Sequence, residues 1–299
     1  MTISSQIRSN IAKTYVLMSV FVGLVIAIGY VLGYALGYGS DFVWIATLFA
    51  VISSFSSYWW GDKMVLAMSK ARPADRKKDF DFFTVAENLS IAAGIPKPSL
   101  YVIDDTAMNA FATGRDPEHA VVCATTGLLD QLERRELEGV IAHELSHIKN
   151  YDTRLLAVIS VLAGTVVFLS DMFMRNLWWG GRRSSRDNDN NSGGIILVIG
   201  IVLAILTPVF ATLMQLALSR RREFLADASG ADLTRYPEGL ARALTKLTKD
   251  KEVLEAATNA TAHLYITNPF KGKAYGAWFA NMFNTHPPIE ERIKRLRAM

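Results

Sequence analysis

The order of hydrophobic and polar positions divides the chain into two kinds of segment. Four blocks are apolar almost throughout, at residues 14–36, 42–60, 155–174 and 195–218. Each approaches the roughly 20 residues that a helix needs to cross a bilayer. Arg8 and Lys13 precede the first block, as basic residues precede a signal peptide's apolar core. Its apolar run is too long for such a core, and a second block follows at once, so a retained helical hairpin is expected. Gly23, Gly29, Gly33 and Gly37 in and beside that block either let another helix approach closely or are ordinary membrane-helix glycines. Trp59 and Trp60 close the second block and Trp178 and Trp179 follow the third, where an interfacial aromatic belt would lie.

The remaining segments alternate. Residues 79–93 carry a helical period stopped by Gly94, and Pro96 and Pro98 mark the turn after it. Residues 99–103, 107–113 and 120–124 have the length and composition of short strands. A charged helical stretch, 130–138, leads into an apolar helix around residues 139–148. Helices are expected again at 220–233 and 237–249, and a last one opens at Pro287-Pro288. The organisation read from this pattern is an N-terminal membrane hairpin (1–60), a region outside the membrane (61–154), a second membrane hairpin (155–218) with a flexible loop at 175–194, and a helical region outside the membrane (219–299).

Composition agrees with a membrane protein. Of 299 residues 51% are hydrophobic, and the excess sits in the four blocks. A net charge of +4 without a basic, aromatic-interleaved stripe argues against nucleic acid as a partner. The single cysteine, Cys123, excludes an intramolecular disulfide and reads as a small buried strand residue on the reducing side of a membrane. Lys63, Lys70, Arg72, Arg76, Lys77 and Lys78 follow the second block, and Arg220–Arg222 follow the fourth. The positive-inside rule therefore places both termini in the cytoplasm. Arg175, Arg182, Arg183 and Arg186, in the loop after the third block, run against that orientation: either the other loops outvote them, the favoured reading, or blocks three and four do not fully cross.

The candidate chemistry lies at His143-Glu144-Leu145-Ser146-His147. On a helix, histidines four residues apart share a face, one turn above the other. That spacing lets two imidazoles meet one zinc ion, with Glu144 placed to take a proton from the attacking water. The pattern needs a third ligand. A histidine six residues after His147 is excluded, because Thr153 stands there and Asn150 stands at the expected glycine. A glutamate about twenty residues downstream is excluded by the apolar run Thr165-Val166-Val167-Phe168. Glu223, just after the fourth block, is the next candidate, since an antiparallel membrane hairpin returns it to the surface where His147 enters. Asp227, four residues on, either accepts the second N–H of a ligand histidine or is a solvated carboxylate beside Arg220–Arg222.

Taken together, the opening hairpin, Asn109-Ala110-Phe111-Ala112-Thr113-Gly114, residues 140–152, residues 222–227, and Thr285-His286-Pro287-Pro288 with Arg292 resemble the HtpX-type membrane zinc peptidases, relatives of the CAAX prenyl endopeptidases. The resemblance extends over nearly the whole chain. It implies one Zn2+ per subunit on His143, His147 and Glu223, with Glu144 as catalytic base. It also implies that Asn109, Ala110, Phe111 and Ala112 form or adjoin the edge strand on which a substrate backbone pairs. His286 and Arg292 would lie near the reacting carbonyl as oxyanion donors; the alternative is that His286 caps its helix and Arg292 pairs with Glu290 or another acid. His119 and His263 read as surface or core histidines.

The expected fold is a mainly α membrane protein. Four transmembrane helices would carry an α+β, zincin-like (gluzincin) domain with a short β-sheet. The expected activity is that of a zinc-dependent metalloendopeptidase of the inner membrane, a multi-pass protein with its active site in the cytoplasm. Its substrates would be misfolded or damaged membrane proteins or unfolded polypeptides, cleaved in stress quality control, and self-cleavage on extraction from the bilayer would be in character. The alternatives are a CAAX-type prenyl-peptide endoprotease and a non-catalytic membrane scaffold or chaperone.

Overall fold

A computed structural model of the protein describes residues 3–35, 39–180, 220–258, 260–270 and 287–299. Outside the described residues lie the fourth apolar block, His286, Gly37 and the loop from residue 181 onward. The chain opens with α1 (Ile3–Ala35) and α2 (Asp41–Met68), an antiparallel pair. Segments Ile7–Val31 and Asp41–Met68 are long and apolar enough to cross a membrane. Trp44, Ile45, Leu48 and Ile52 project from α2 without protein cover among the described residues, as side chains facing lipid would. A third long helix, α6 (Asp152–Gly180), packs into the hairpin through Leu155, Val158, Ile159 and Leu162 against Leu17, Phe21 and Ala50. Residues 175–180 continue this helix instead of opening the expected loop.

Of the glycines in the first block, Gly29 has a clear packing reason. A Cβ there would stand 2.4 Å from the Ala46 Cβ, whereas one at Gly23 would meet nothing within 4 Å. The two helices therefore touch backbone to side chain at Gly29, where any larger residue would separate them.

The polar body follows. Strands β1 (Arg72–Pro73), β2 (Ser99–Ile103), β3 (Ala110–Thr113) and β4 (Val121–Thr125) form one sheet in the order β1-β2-β4-β3. The β2–β4 pair is parallel and the outer pairs are antiparallel, so β3 is an edge strand. The expected strand at 107–113 is shorter at its start, because the Met108 N–H donates to Asp250 Oδ2 and the Asn109 N–H to Thr125 Oγ1. Strands β3 and β4 are buried at every position, which explains their unbroken apolar sequence. On one face Leu100, Val102, Ala112 and Val122 meet α3 (Phe80–Ala93) and α5 (Arg134–Lys149). On the other, Ile103, Phe111, Val121 and Cys123 meet Val65 and Leu66 of α2 and Leu156 of α6.

Helix α2 thus runs past Trp60, where its backbone kinks (φ −126°, ψ 16°), and its end becomes a support for the sheet. A boundary at residue 60 falls inside this helix. The charged stretch expected to run unbroken into the histidine helix is instead divided. Helix α4 (Thr126–Gln131) ends, and Glu133 with Glu136 forms a capping box that starts α5 afresh. Helices α7 (Arg220–Thr234) and α8 (Pro237–Lys249) then pack on α5, and α9 (Ile289–Leu296) packs on both of them.

Replacing Gly29 by Leu inserts a side chain where no space exists, and should destabilise the hairpin by about 1–3 kcal/mol. Thermal unfolding in detergent measures this. An unchanged midpoint would contradict the close contact with Ala46.

Candidate active site

Helix α5 presents His143 and His147 from one face, as their spacing requires, with the ring centroids 4.7 Å apart. Helix α7 crosses α5 in close contact. Gly230 lies so near that a Cβ would stand 3.0 Å from the His143 backbone nitrogen, and a larger residue there would push the helices apart. Two turns earlier on α7, Glu223 reaches the imidazoles: its carboxylate oxygens lie 3.4 Å from His147 Nε2 and 3.7 Å from His143 Nε2. The two Nε2 atoms are 3.2 Å apart. His143, His147 and Glu223 each offer one ligand atom, and these atoms lie within 4.8 Å of one another.

The second nitrogen of each imidazole faces a carboxylate. His143 Nδ1 is 3.0 Å from Asp227 Oδ1, and His147 Nδ1 is 3.1 Å from Asp152 Oδ2. Such carboxylates orient the ring so that Nε2 is the nitrogen turned toward a metal. Each carboxylate is backed by a guanidinium. Arg292, wholly buried, donates to Asp227 through Nε (2.9 Å) and Nη2 (2.7 Å), and Arg222 Nη1 donates to Asp152 Oδ1 at 2.9 Å. A set of two nitrogens and one oxygen with braced rings fits a zinc ion with a coordination position left open.

Charge in this buried cluster is strongly shaped. Burial raises the Glu144 carboxyl to about 7, with help from Glu223 and against the pull of His147 and Arg292. For His147, burial works downward, but Asp152, Glu223 and Glu144 outweigh it and hold the imidazolium up to about 9. His143 is lowered, mainly by burial and then by Arg292. Asp227 is drawn down to about 2, since Arg292 and His143 overcome its burial.

The structure therefore gathers His143, Glu144, His147, Glu223, Asp227 and Arg292 at one place. Arg292 is not paired with Glu290. It meets the cluster, 3.6 Å from Glu223 Oε2, but two of its nitrogens are committed to Asp227 and Nη1 donates to the Ile266 carbonyl (3.3 Å). The substrate-strand residues need a finer statement. The Asn109 Nδ2 donates to the Thr267 carbonyl, and the Phe111 ring packs edge-on against Tyr265 at 5.1 Å, so both side chains serve the protein's own interior. Ala110 accepts from the Ile266 N–H (3.0 Å), and Ala112 donates its backbone N–H to Glu144.

Asp152, Arg222 and His263 were not anticipated at the site. His263 is buried and lines the small cavity beside the cluster, bonded to Ser160 Oγ at 3.1 Å. Asp152 falls between the histidine helix and the third apolar block, where the sequence pattern assigned no element. Helix α5 stops at Lys149, Tyr151 adopts φ +58°, and α6 begins at Asp152 with its carboxylate turned back to His147. A charged residue at the mouth of an apolar block, five positions after the second histidine, was the available signal.

A profile of Peptidase family M48 matches residues 77–299. The chain belongs to peptidase family M48. A protein named "Protease HtpX homolog" from Dictyoglomus thermophilum is 45% identical to this M48 chain over 298 residues, spanning 100% of the chain and 95% of its own length. Another of that name, from Streptococcus pneumoniae (strain P1031), is 44% identical, spanning 98% of the chain and 99% of its own length. Among solved structures, that of S. mikatae Ste24p is similar in fold, with a TM-score of 0.50 at 19% identity, over 98% of the M48 chain and 67% of its own. With its donor cluster set beside helices able to span a bilayer, this M48 peptidase is a membrane metalloprotease.

A metal entering at pH 7 must displace the proton that His147 holds with its value near 9. Loading should therefore release about one proton per site, with affinity falling as pH drops further below 9. Calorimetric titration in buffers of differing ionisation enthalpy measures this. Heat independent of the buffer would contradict it.

Proposed function

We propose that this peptidase is a zinc-dependent endopeptidase that crosses the inner membrane four times and works at the cytoplasmic face. It cleaves misfolded or damaged membrane proteins within stress quality control. The observation that carries the reading is the convergence of His143 and His147 of α5 with Glu223 of α7, with both histidines facing carboxylates. The basic residues at 63–78 and 220–222 support the orientation. The helix-on-sheet arrangement, with an edge strand beside the histidine helix, supports a zincin-like body.

In this reading His143 and His147 through Nε2, and Glu223 through its carboxylate, would hold zinc. When bound, zinc supplies Lewis acidity, which polarises the scissile carbonyl and acidifies the attacking water. The Glu144 carboxylate accepts that water's proton and delivers a proton to the leaving amine. Its value near 7 suits both halves of that exchange at neutral pH. Asp227 and Asp152 keep the two imidazoles oriented, and Arg292 keeps Asp227 in place.

The cavity at the cluster has a volume of about 10 Å3 and is closed partly by His263, Leu264 and Ile266. That is room for about one water, not for a peptide. A substrate strand pairing on β3 therefore has to take the Ala110 carbonyl from the Ile266 N–H. A substrate already unfolded, presenting free backbone at the membrane surface, is the kind able to do so.

The test is cleavage of an unfolded membrane protein by the purified full chain, with metal content measured alongside. Glu144→Gln should keep zinc and lose cleavage by at least about 100-fold. Glu223→Gln should lose zinc and activity together. Retained cleavage in the first variant, or unchanged metal content in the second, overturns the assignment concerned.

A further inference from the structure

Asn10 is a polar residue inside an apolar helix, only 2% exposed, and its amide is fully engaged. Its Nδ2 donates to Asp152 Oδ1 (2.8 Å) and to the Asn150 carbonyl (3.0 Å), while its Oδ1 accepts from Arg222 Nη1 (3.1 Å). Arg222 Nη1 also donates to the same Asp152 oxygen at 2.9 Å. Asp152 turns its other oxygen to His147 Nδ1, 3.1 Å away. The five residues come from α1, α5, the α5–α6 junction and α7, and form one continuous network.

An amide suits that position because it donates to a carboxylate and accepts from a guanidinium at once. A carboxylate at residue 10 would face Asp152 with a like charge, and an aliphatic residue would leave Asp152 and Arg222 short of a partner in a buried place. The network matches what stands behind His143, where Arg292 holds Asp227. It differs in one respect: its far end lies on the first membrane helix.

We propose that Asn10 is a positioning residue for the metal site. With Arg222 it holds Asp152 against Nδ1 of His147, so that the first membrane helix is part of the frame that orients a ligand. The segment then does more than anchor the protein in the bilayer, because its Asn10 end bears on the metal site. This rests on zinc being held by His143, His147 and Glu223.

The experiment is the rate at which full-length, zinc-loaded protein in detergent gives up zinc to a chromogenic chelator. Removing an outer carboxylate of this kind typically costs 10–100-fold in metal affinity. Asp152→Ala should accelerate zinc loss by about that factor, and Asn10→Ala by about tenfold. The double variant should be no worse than Asp152→Ala alone, because both act through one carboxylate. Gly29→Leu is the control: it disturbs the same hairpin away from the network, and should lower the unfolding midpoint without altering zinc loss. Should Asn10→Ala fail to fold, Asn10→Asp keeps the shape and sets a like charge against Asp152, and should also release zinc faster. Zinc loss unchanged in the folded Asn10 variant, or acceleration by Gly29→Leu equal to that by Asn10→Ala, overturns the proposal. Wild-type protein that holds no zinc overturns the metal reading, and this inference with it.

Discussion

Two buried imidazoles, each with Nδ1 set against a carboxylate, are the interaction on which the rest of the structure depends. A buried carboxylate is costly unless paired and hydrogen-bonded. Asp227 meets this through Arg292, and Asp152 through Arg222 and Asn10. The two guanidiniums and the Asn10 amide reach those places because α7, α9 and α1 each pack where they do. The ligand geometry is thus a consequence of helix packing across the whole body, and the opposite shifts of His143 and His147 follow from the unequal charges around them.

The membrane helices take part in that body. The end of α2 and the start of α6 lie under the sheet, with Val65, Leu66 and Leu156 against Phe111, Val121 and Cys123. Fully burying a large apolar side chain contributes about 1.5–3 kcal/mol, so this layer matters to the stability of the edge strand. The edge strand in turn gives its Ala112 N–H to Glu144. Membrane insertion and active-site assembly are therefore coupled through packed side chains.

Much of this was legible in the sequence where one local rule decides the outcome. The i,i+4 histidines fixed a helix face, and Pro237 and Lys249 bounded their helix as the sequence pattern predicted. The expectation of a second hairpin pointed to Glu223, which the structure sets beside the two histidines, and Asp227 fell one turn beyond it. What stayed hidden depends on contacts that no period reports. Asp152 required the break at Tyr151, a non-glycine residue in the left-handed region, which no turn signal announced. Asn10 lies in the mixed polar stretch before the first apolar block and carried no signal in the sequence; only the fold sets it against Asp152. The edge strand was found, but that residues 264–267 already lie along it could only come from the tertiary structure.

The central claim is that zinc sits on two Nε2-bonded imidazoles and one carboxylate. X-ray absorption at the zinc edge of the loaded full-length protein tests it most directly. The account predicts two imidazole shells at about 2.0–2.1 Å with oxygen completing the sphere and no sulfur. A single imidazole, or a zinc–sulfur distance near 2.3 Å, would contradict it.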